Sequence, residues 1–465
     1  MEQSVITRTV SVAAGRFAPG HLGELTQQVP FEMVDAVLAE TGTVQRRVRD
    51  LPARVVVYLL LAGCLFAEFG YRQVWLRLVA GLDGLPVADP TEAALTKARR
   101  RLGPAPLRAL FDLLRGPAPT LAGPVRWRGL LVCAVDGTIM SLPDSAANLR
   151  RFVKQRGGPC GGGSYPTLRL VAVLACGTRT IIDAVYGPTS AAEITYTRQL
   201  LTSLRAGMLI LADRHYAAGH LLAAIADTGA HLIVRAPTGA RSARLPVLRR
   251  HRDGSYRSTF GGRLVRVIDA EITITTSAGT QSGSYRLITT LLDPGHHPAH
   301  ALTRLYHERW EIETAYLELK SSILGGRVLR ARTANGIDQE IYALLVTYQI
   351  LRTAMTDATN TIPGLDPDRA SFTTALHAAR DQLVHATGVI TDTTIGAVID
   401  LAGRIGRLVL DNLMPDRRLR TNTRTVKRAI SKYNARGPNI DRRTYKATTN
   451  INILTEPTLT TGPEP

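Results

Sequence analysis

The sequence predicts an α/β protein with helical segments on either side of its strand-rich middle. Three observations carry this. Between residues 126 and 360 short β-rich runs alternate with helical ones, residues 1–125 read as helical throughout, and the chain beyond 360 returns to helical patterns that end in a basic stretch. At roughly 100 to 200 residues per domain, 465 residues accommodate several units. The boundaries fall at 1–125, 126–360 and 361–465.

Apolar residues at 45% and charged residues at 20% mark a core-forming chain rather than a disordered one. The longest apolar run, Val55 to Ala67, is shorter than the roughly 20 residues that cross a bilayer. The start MEQSVITRTVSVAAGR has no basic segment leading into an apolar one, so neither secretion nor membrane insertion is expected and the protein is assigned to the cytoplasm. Cys64, Cys133, Cys160 and Cys176 form no C-x-x-C pair, which argues against a disulfide framework and a thiolate zinc site. Lys and Arg number 57 against 38 Asp and Glu, a net charge of +19. An excess of this size points to a polyanionic partner, nucleic acid first, because each neutralised phosphate releases condensed counterions.

In the first segment an apolar helix around Val55–Phe66 continues into the amphipathic GYRQVWLRLVAGL. DPTEAALTKARRRLG then starts as a helix should, with Asp89 as N-cap, Pro90 at N1, Glu92 at N3 and Gly103 as the stop. Its Lys97, Arg99, Arg100 and Arg101 either complement the helix dipole or contact DNA. From 126 the runs GLLVCAVDGTIM, PTLRLVAVLAC and RTIIDAVYG read as hairpin-linked strands, and MLILAD, a helix, and HLIVRAP as a parallel unit. Gly157 to Gly163 lacks the G-K-[ST] ending of a phosphate-cradling loop. Residues 238–298 return to β-prone runs, a strand insertion; a long helix spans Ala299 to Ser322 and an apolar one follows at 338–355. His296, His297, His300 and His307 lack thiolate or carboxylate co-ligands and read as a solvated connection. The segment Arg417 to Lys446, with Asp441 its one acid, is the basic stretch, and TEPTLTTGPEP reads as a disordered tail.

Three carboxylates stand out. Asp136 closes the apolar run LLVCAV and precedes Gly137; alone it serves equally as a strand-end metal ligand or as the start of an Asp-Gly turn. Asp213 ends MLILAD, where open α/β sheets present functional groups, though Asp is also a good helix N-cap. In YHERWEIETAYLELK the acids Glu308, Glu311, Glu313 and Glu318 are compatible with a solvated face. At about 100° per residue, however, Arg309, Glu313 and Lys320 fall within roughly 60° of Tyr306, next to a core-facing stripe of Leu305, Ile312, Tyr316 and Leu319. Glu308, Glu311 and Glu318 fall on the far side, so Glu313 is the acid placed to join the aspartates, with Tyr306, Arg309 and Lys320 spaced to hold phosphates.

The pattern Tyr306-x2-Arg309-x3-Glu313-x6-Lys320, with Asp136 in AVDGT and Asp213 in LADRHY, resembles the signature of the insertion-sequence-four family of bacterial DDE (Asp-Asp-Glu) transposases. LPDSAANLRRF and the N-terminal RDLPARVVVYLLLAGCLF are similar to that family too, while His215 stands where relatives often carry glycine. The resemblance implies an RNase H-like catalytic core interrupted by the β insertion, an N-terminal helical DNA-binding domain and a helical, basic C-terminal region. It implies two Mg²⁺ or Mn²⁺ ions held by Asp136, Asp213 and Glu313, since these ions prefer oxygen ligands. The activity implied is cleavage at insertion-sequence ends and strand transfer by direct transesterification. The expected partners are terminal inverted repeats and target DNA, with a homodimer in the synaptic complex, close to the nucleoid. Further DNA or phosphate contacts are expected from Arg99, Arg100, Lys427 and Arg428. A repressor descended from a transposase would have lost a carboxylate, and none is missing; a nuclease that only cuts shares the triad.

Overall fold

The computed structural model describes residues 10–11, 17–18, 20–45, 47, 49–82, 86–118, 126–154, 165–237, 245–276, 279–385, 403–415 and 447–454. A short antiparallel pair, β1 (Val10–Ser11) with β2 (Phe17–Ala18), precedes five helices: α1 (Phe31–Glu40), α2 (Ala53–Leu65), α3 (Tyr71–Val79), α4 (Glu92–Leu102) and α5 (Ala105–Leu114). The apolar run makes α2 buried along almost its whole length. At α4 the expected cap is corrected: the Thr91 hydroxyl accepts from the Ala94 N–H at 3.2 Å, while Asp89, held two residues outside the helix by Pro90, pairs with Arg72. The stop is as expected, with Gly103 at φ +70.

The strands follow. β3 (Arg126–Trp127) pairs with the start of β4 (Leu130–Ser141). After the short α6 (Ala146–Leu149) come β5 (Thr167–Ala175) and β6 (Ile181–Pro188), both antiparallel to their neighbours. Beyond α7 (Glu193–Gln199), β7 (Met208–Ala212), α8 (Gly219–Asp227) and β8 (His231–Ala236) complete a core of order β6-β5-β4-β7-β8, in which β4, β7 and β8 run parallel. The expected insertion forms β9 (Arg249–Arg250), β10 (Tyr256–Phe260), β11 (Arg263–Thr276) and β12 (Gly279–Thr289). It does not stand apart, because β12 pairs with β8 and so extends the same sheet.

Both faces of β4 are covered. Val132 and Ala134 pack into the core that holds Tyr316 and Leu319, whereas Leu131, Cys133 and Val135 face the core of Tyr196 and Leu221. Two covered faces explain an unbroken apolar run in place of alternation. The long helix expected over 299–322 is wound unevenly: α9 (Ala299–Tyr306), a 3₁₀ turn at His307–Arg309, α10 (Trp310–Leu317) and a π-helical turn at Glu318–Ile323. The chain continues with α11 (Ala334–Asn360), α12 (Phe372–Val384) and α13 (Gly403–Asp411). The C-terminal region is not helical throughout. Residues Ala447–Ile453, with β-prone Thr and Ile, form β13 antiparallel to β11. Lys427, Arg428, the rest of the basic stretch, Cys160, Gly157–Gly163 and the C-terminal tail TEPTLTTGPEP lie outside the described residues.

Candidate active site

Parallel pairing of β4 with β7 runs to the rung Ala134–Leu211 and stops, and β7 itself ends at Ala212. Asp136 and Asp213 each stand two residues beyond that last rung, on the carboxyl side of adjacent parallel strands. The expectation that Asp136 ends its strand, or opens a turn, is corrected. β4 continues to Ser141 against β5, and Asp136 lies where it loses its other neighbour. This is the point where the sheet changes from antiparallel to parallel order, the crevice in which open α/β sheets place ligands. Asp213 also caps the 3₁₀ turn Arg214–Tyr216. Its carboxylate accepts from the His215 N–H at 2.8 Å and lies 3.0 Å from His215 Nδ1.

Two tyrosines register the helix on β4 and β7 beside these aspartates. The Tyr306 hydroxyl donates to the Ala212 carbonyl at 3.0 Å, next to Asp213. The Tyr316 hydroxyl donates to the Asp136 carbonyl at 2.6 Å and accepts from the Ala172 N–H at 3.1 Å, bridging the rung that joins β4 to β5. Tyr306 is 6% exposed, and its phenol clamps β7. Tyr316 was legible only as a core residue, and its role at Asp136 had no signal in the spacing.

The clamp brings Glu313 and the two cations to the aspartates. Arg309 Nη2 donates to Glu313 Oε1 at 3.2 Å, and Nη1 lies 3.8 Å from Asp136 Oδ2. Lys320 Nζ donates to Thr138 Oγ1 at 3.1 Å, one side chain further along the same face of β4. Burial raises the Asp136 carboxyl to about 7, with Asp213 and Glu193 adding repulsion against the Gly137 N–H and Arg309, which oppose it. Burial also works against the charge on Arg309, but Tyr306, Asp136 and Glu313 outweigh it and hold the guanidinium above its ordinary range. Among the described residues no three His, Cys, Asp or Glu side chains are gathered closely enough to hold an ion as they stand. The guanidinium of Arg309 lies between two of the carboxylates. The donor set itself is all oxygen and suits a hard divalent cation.

Two other acids of the helix, Glu311 and Glu318, are neither solvated nor part of this site. Glu311 and Glu318 are buried, and Glu311 binds Arg179 Nε at 2.7 Å. Glu318 accepts from Arg179 Nη1 at 3.1 Å, Arg352 Nε at 3.2 Å and the Tyr348 hydroxyl at 3.1 Å; Arg179 also pairs with Asp368. The helix is covered on its far side as well as on its sheet side, which a wheel that assumes one buried stripe misses. Arg99 and Arg100 sit on α4, which packs on α2, α3 and α11. The Arg99 guanidinium stacks 3.8 Å above Tyr71, and Arg100 is exposed.

Residues 19–112 match the family model for the insertion element 4 transposase N-terminal region, and residues 127–350 match that for the transposase DDE domain. The chain is 27% identical over 412 residues to the transposase InsG for insertion sequence element IS4 of Escherichia coli (strain K12), covering 86% of this chain and 91% of that protein. It is 25% identical over 207 residues to the putative transposase InsZ of the same organism, 44% of this chain and 67% of that one. A piggyBac transposase synaptic complex with hairpin DNA aligns over 86% of both chains at 9% identity and a TM-score of 0.41. The catalytic half is thereby that of a DNA transposase, an enzyme of DNA cleavage and strand transfer. The chain belongs to the insertion-sequence-four family of DDE transposases, which generally use divalent metal ions.

Proposed function

We propose that Asp136, Asp213 and Glu313 are the catalytic carboxylates with which this transposase cuts the ends of its element and joins them to target DNA. The observation that carries the reading is Arg309, bonded to Glu313 and 3.8 Å from Asp136, beside the strands β4 and β7, which present Asp136 and Asp213 from one level of the sheet where their pairing stops. The strand order β6-β5-β4-β7-β8 supports an RNase H-like core, with β9–β12 as its insertion. The working division is an N-terminal DNA-binding domain over 1–125, a catalytic domain over 126–360 and a C-terminal region over 361–465.

The three carboxylates would hold the cation, two Mg²⁺ or Mn²⁺ ions in this reading. Bound there, the metal would supply Lewis-acid activation of a water or a DNA 3′-hydroxyl and would neutralise charge at the scissile phosphate. Arg309 provides a buried positive charge that remains protonated next to that phosphate, and Lys320, held by Thr138, provides a second. Tyr306 and Tyr316 keep β7, β4 and the helix in one register, so the reacting groups need no reorganisation. The substrate is double-stranded DNA, as terminal inverted repeats and as target, bound by a dimer at the nucleoid through the exposed Arg100, the residue Arg99 and the segment around Lys427 and Arg428. The test uses a labelled end with a free 3′-hydroxyl and a target duplex. Asp136→Ala, Asp213→Ala and Glu313→Ala are each expected to retain end binding and lose joining together with cutting. A variant that joins at the wild-type rate would remove that residue from the site.

A further inference from the structure

Glu193, the first residue of α7, approaches the same strand from the opposite face. A Cβ built on Gly137 would stand 2.8 Å from Glu193 Cδ and 2.8 Å from Oε1, so the Glu193 carboxyl fills the space a side chain at position 137 would take. Odd-numbered β4 residues face the core of Tyr196 and Leu221, and even-numbered ones, Asp136 among them, face the helix with Glu313. Glycine after Asp136 is therefore what lets a carboxylate from α7 reach the strand beside the catalytic aspartate.

Two features show that Glu193 is not there merely to close an ion pair. Among the described residues the cation paired with it is Arg169, which holds it loosely, at 3.7 Å from Nε to Oε1, while Arg169 Nη1 donates instead to the Ala191 carbonyl at 2.6 Å. The Tyr216 hydroxyl, on a side chain 1% exposed, makes no hydrogen bond among the described residues. Tyr216 packs with Tyr196 and Val135 in the core on the α7 side of the sheet, and burial followed by the charges of Asp136 and Glu193 pushes its phenol up. A buried hydroxyl without a partner marks a place where a water or a ligand completes the structure.

We infer that Glu193 is a fourth carboxylate of the Asp136 centre, contributing negative charge and oxygen to the divalent cation from the α7 face of the sheet through the opening left by Gly137. The inference rests on the reading that Asp136, Asp213 and Glu313 hold that cation. An additional carboxylate raises the affinity of a hard cation and helps fix it where Asp136 alone would let it exchange.

The test is Mn²⁺ binding to the full chain without DNA, followed by calorimetry, with metal-free thermal unfolding as the check on folding. Glu193→Gln keeps the shape and removes the charge; about a 10-fold to 100-fold loss of Mn²⁺ affinity is expected. Gly137→Ala drives the carboxyl off the strand and is expected to weaken binding as well. Arg169→Gln leaves the carboxylate in place and is expected to bind Mn²⁺ as the wild type does or more tightly. Asp136→Asn separates the two levels of the argument. If Asp136→Asn loses Mn²⁺ and Glu193→Gln does not, the inference is wrong and the triad stands. If Asp136→Asn binds normally, the triad reading fails and Glu193 with it. Equal losses for Arg169→Gln and Glu193→Gln would assign Glu193 to its ion pair alone.

Discussion

Asp136 is kept buried next to other acids, and this has a thermodynamic signature without any substrate. Its carboxyl titrates near 7 in the folded chain against an ordinary value of 3.8. Between those values the folded protein holds a proton that the unfolded chain has lost. Stability therefore falls as pH rises through the window and levels off above about 7. Asp136→Asn removes this penalty. In EDTA, thermal unfolding of the variant is expected to match the wild type near pH 4 and to exceed it at pH 8; superimposed pH profiles would show that Asp136 is not destabilised. Glu318 makes the opposite case, since it compensates two buried guanidinium groups at once. Glu318→Ala leaves Arg179 and Arg352 short of a partner in the interior, and a loss of about 3–5 kcal/mol in denaturant unfolding is expected.

The helix from Ala299 to Ile323 decides whether the site exists, and it is held by hydroxyls rather than by propensity. Tyr316→Phe deletes the bonds to the Asp136 carbonyl and the Ala172 N–H at a buried rung, so about 1–3 kcal/mol of stability is expected to be lost. Cleavage should fall while DNA affinity is kept; unchanged cleavage would mean that the strands hold their register without it. Much of this element was legible in the sequence. The apolar residues Ile312, Tyr316 and Leu319 recur at helical spacing, and Arg309, Glu313 and Lys320 do lie along the sheet-facing side. What the spacing missed follows from the assumption of a single buried stripe and uniform winding. The 3₁₀ turn at His307–Arg309 and the π turn at Glu318–Ile323 break that uniform winding. Glu311 and Glu318 look solvated until the β5–β6 turn brings Arg179, at φ +57, against them. Glu193 likewise gave no signal, because its partner is a glycine 56 positions away that is recognised only when the sheet has formed.

At the scale of the molecule, the alternation of strands and helices fixed the parallel core in advance, while the joining of the insertion to β8 and the return of β13 to β11 depend on edges that no local pattern announces. The return matters for mapping DNA contacts. Truncation before 447 would strip a strand from the sheet, so the basic segment is better tested by substitution. Replacing Lys427 and Arg428 with Ala is expected to flatten the dependence of log affinity on log salt by about 1.8, or 0.9 for each phosphate contact. An unchanged slope would move the contacts to α4, where Arg100 is exposed. The most direct test is cleavage of a labelled duplex bearing the element end, in Mg²⁺, Mn²⁺ or EDTA, by the wild type and Glu313→Gln. The wild type is expected to cut at the 3′ end only with metal, and the variant to bind without cutting; a Glu313→Gln protein that cuts at the wild-type rate would remove Glu313 from the catalytic carboxylates.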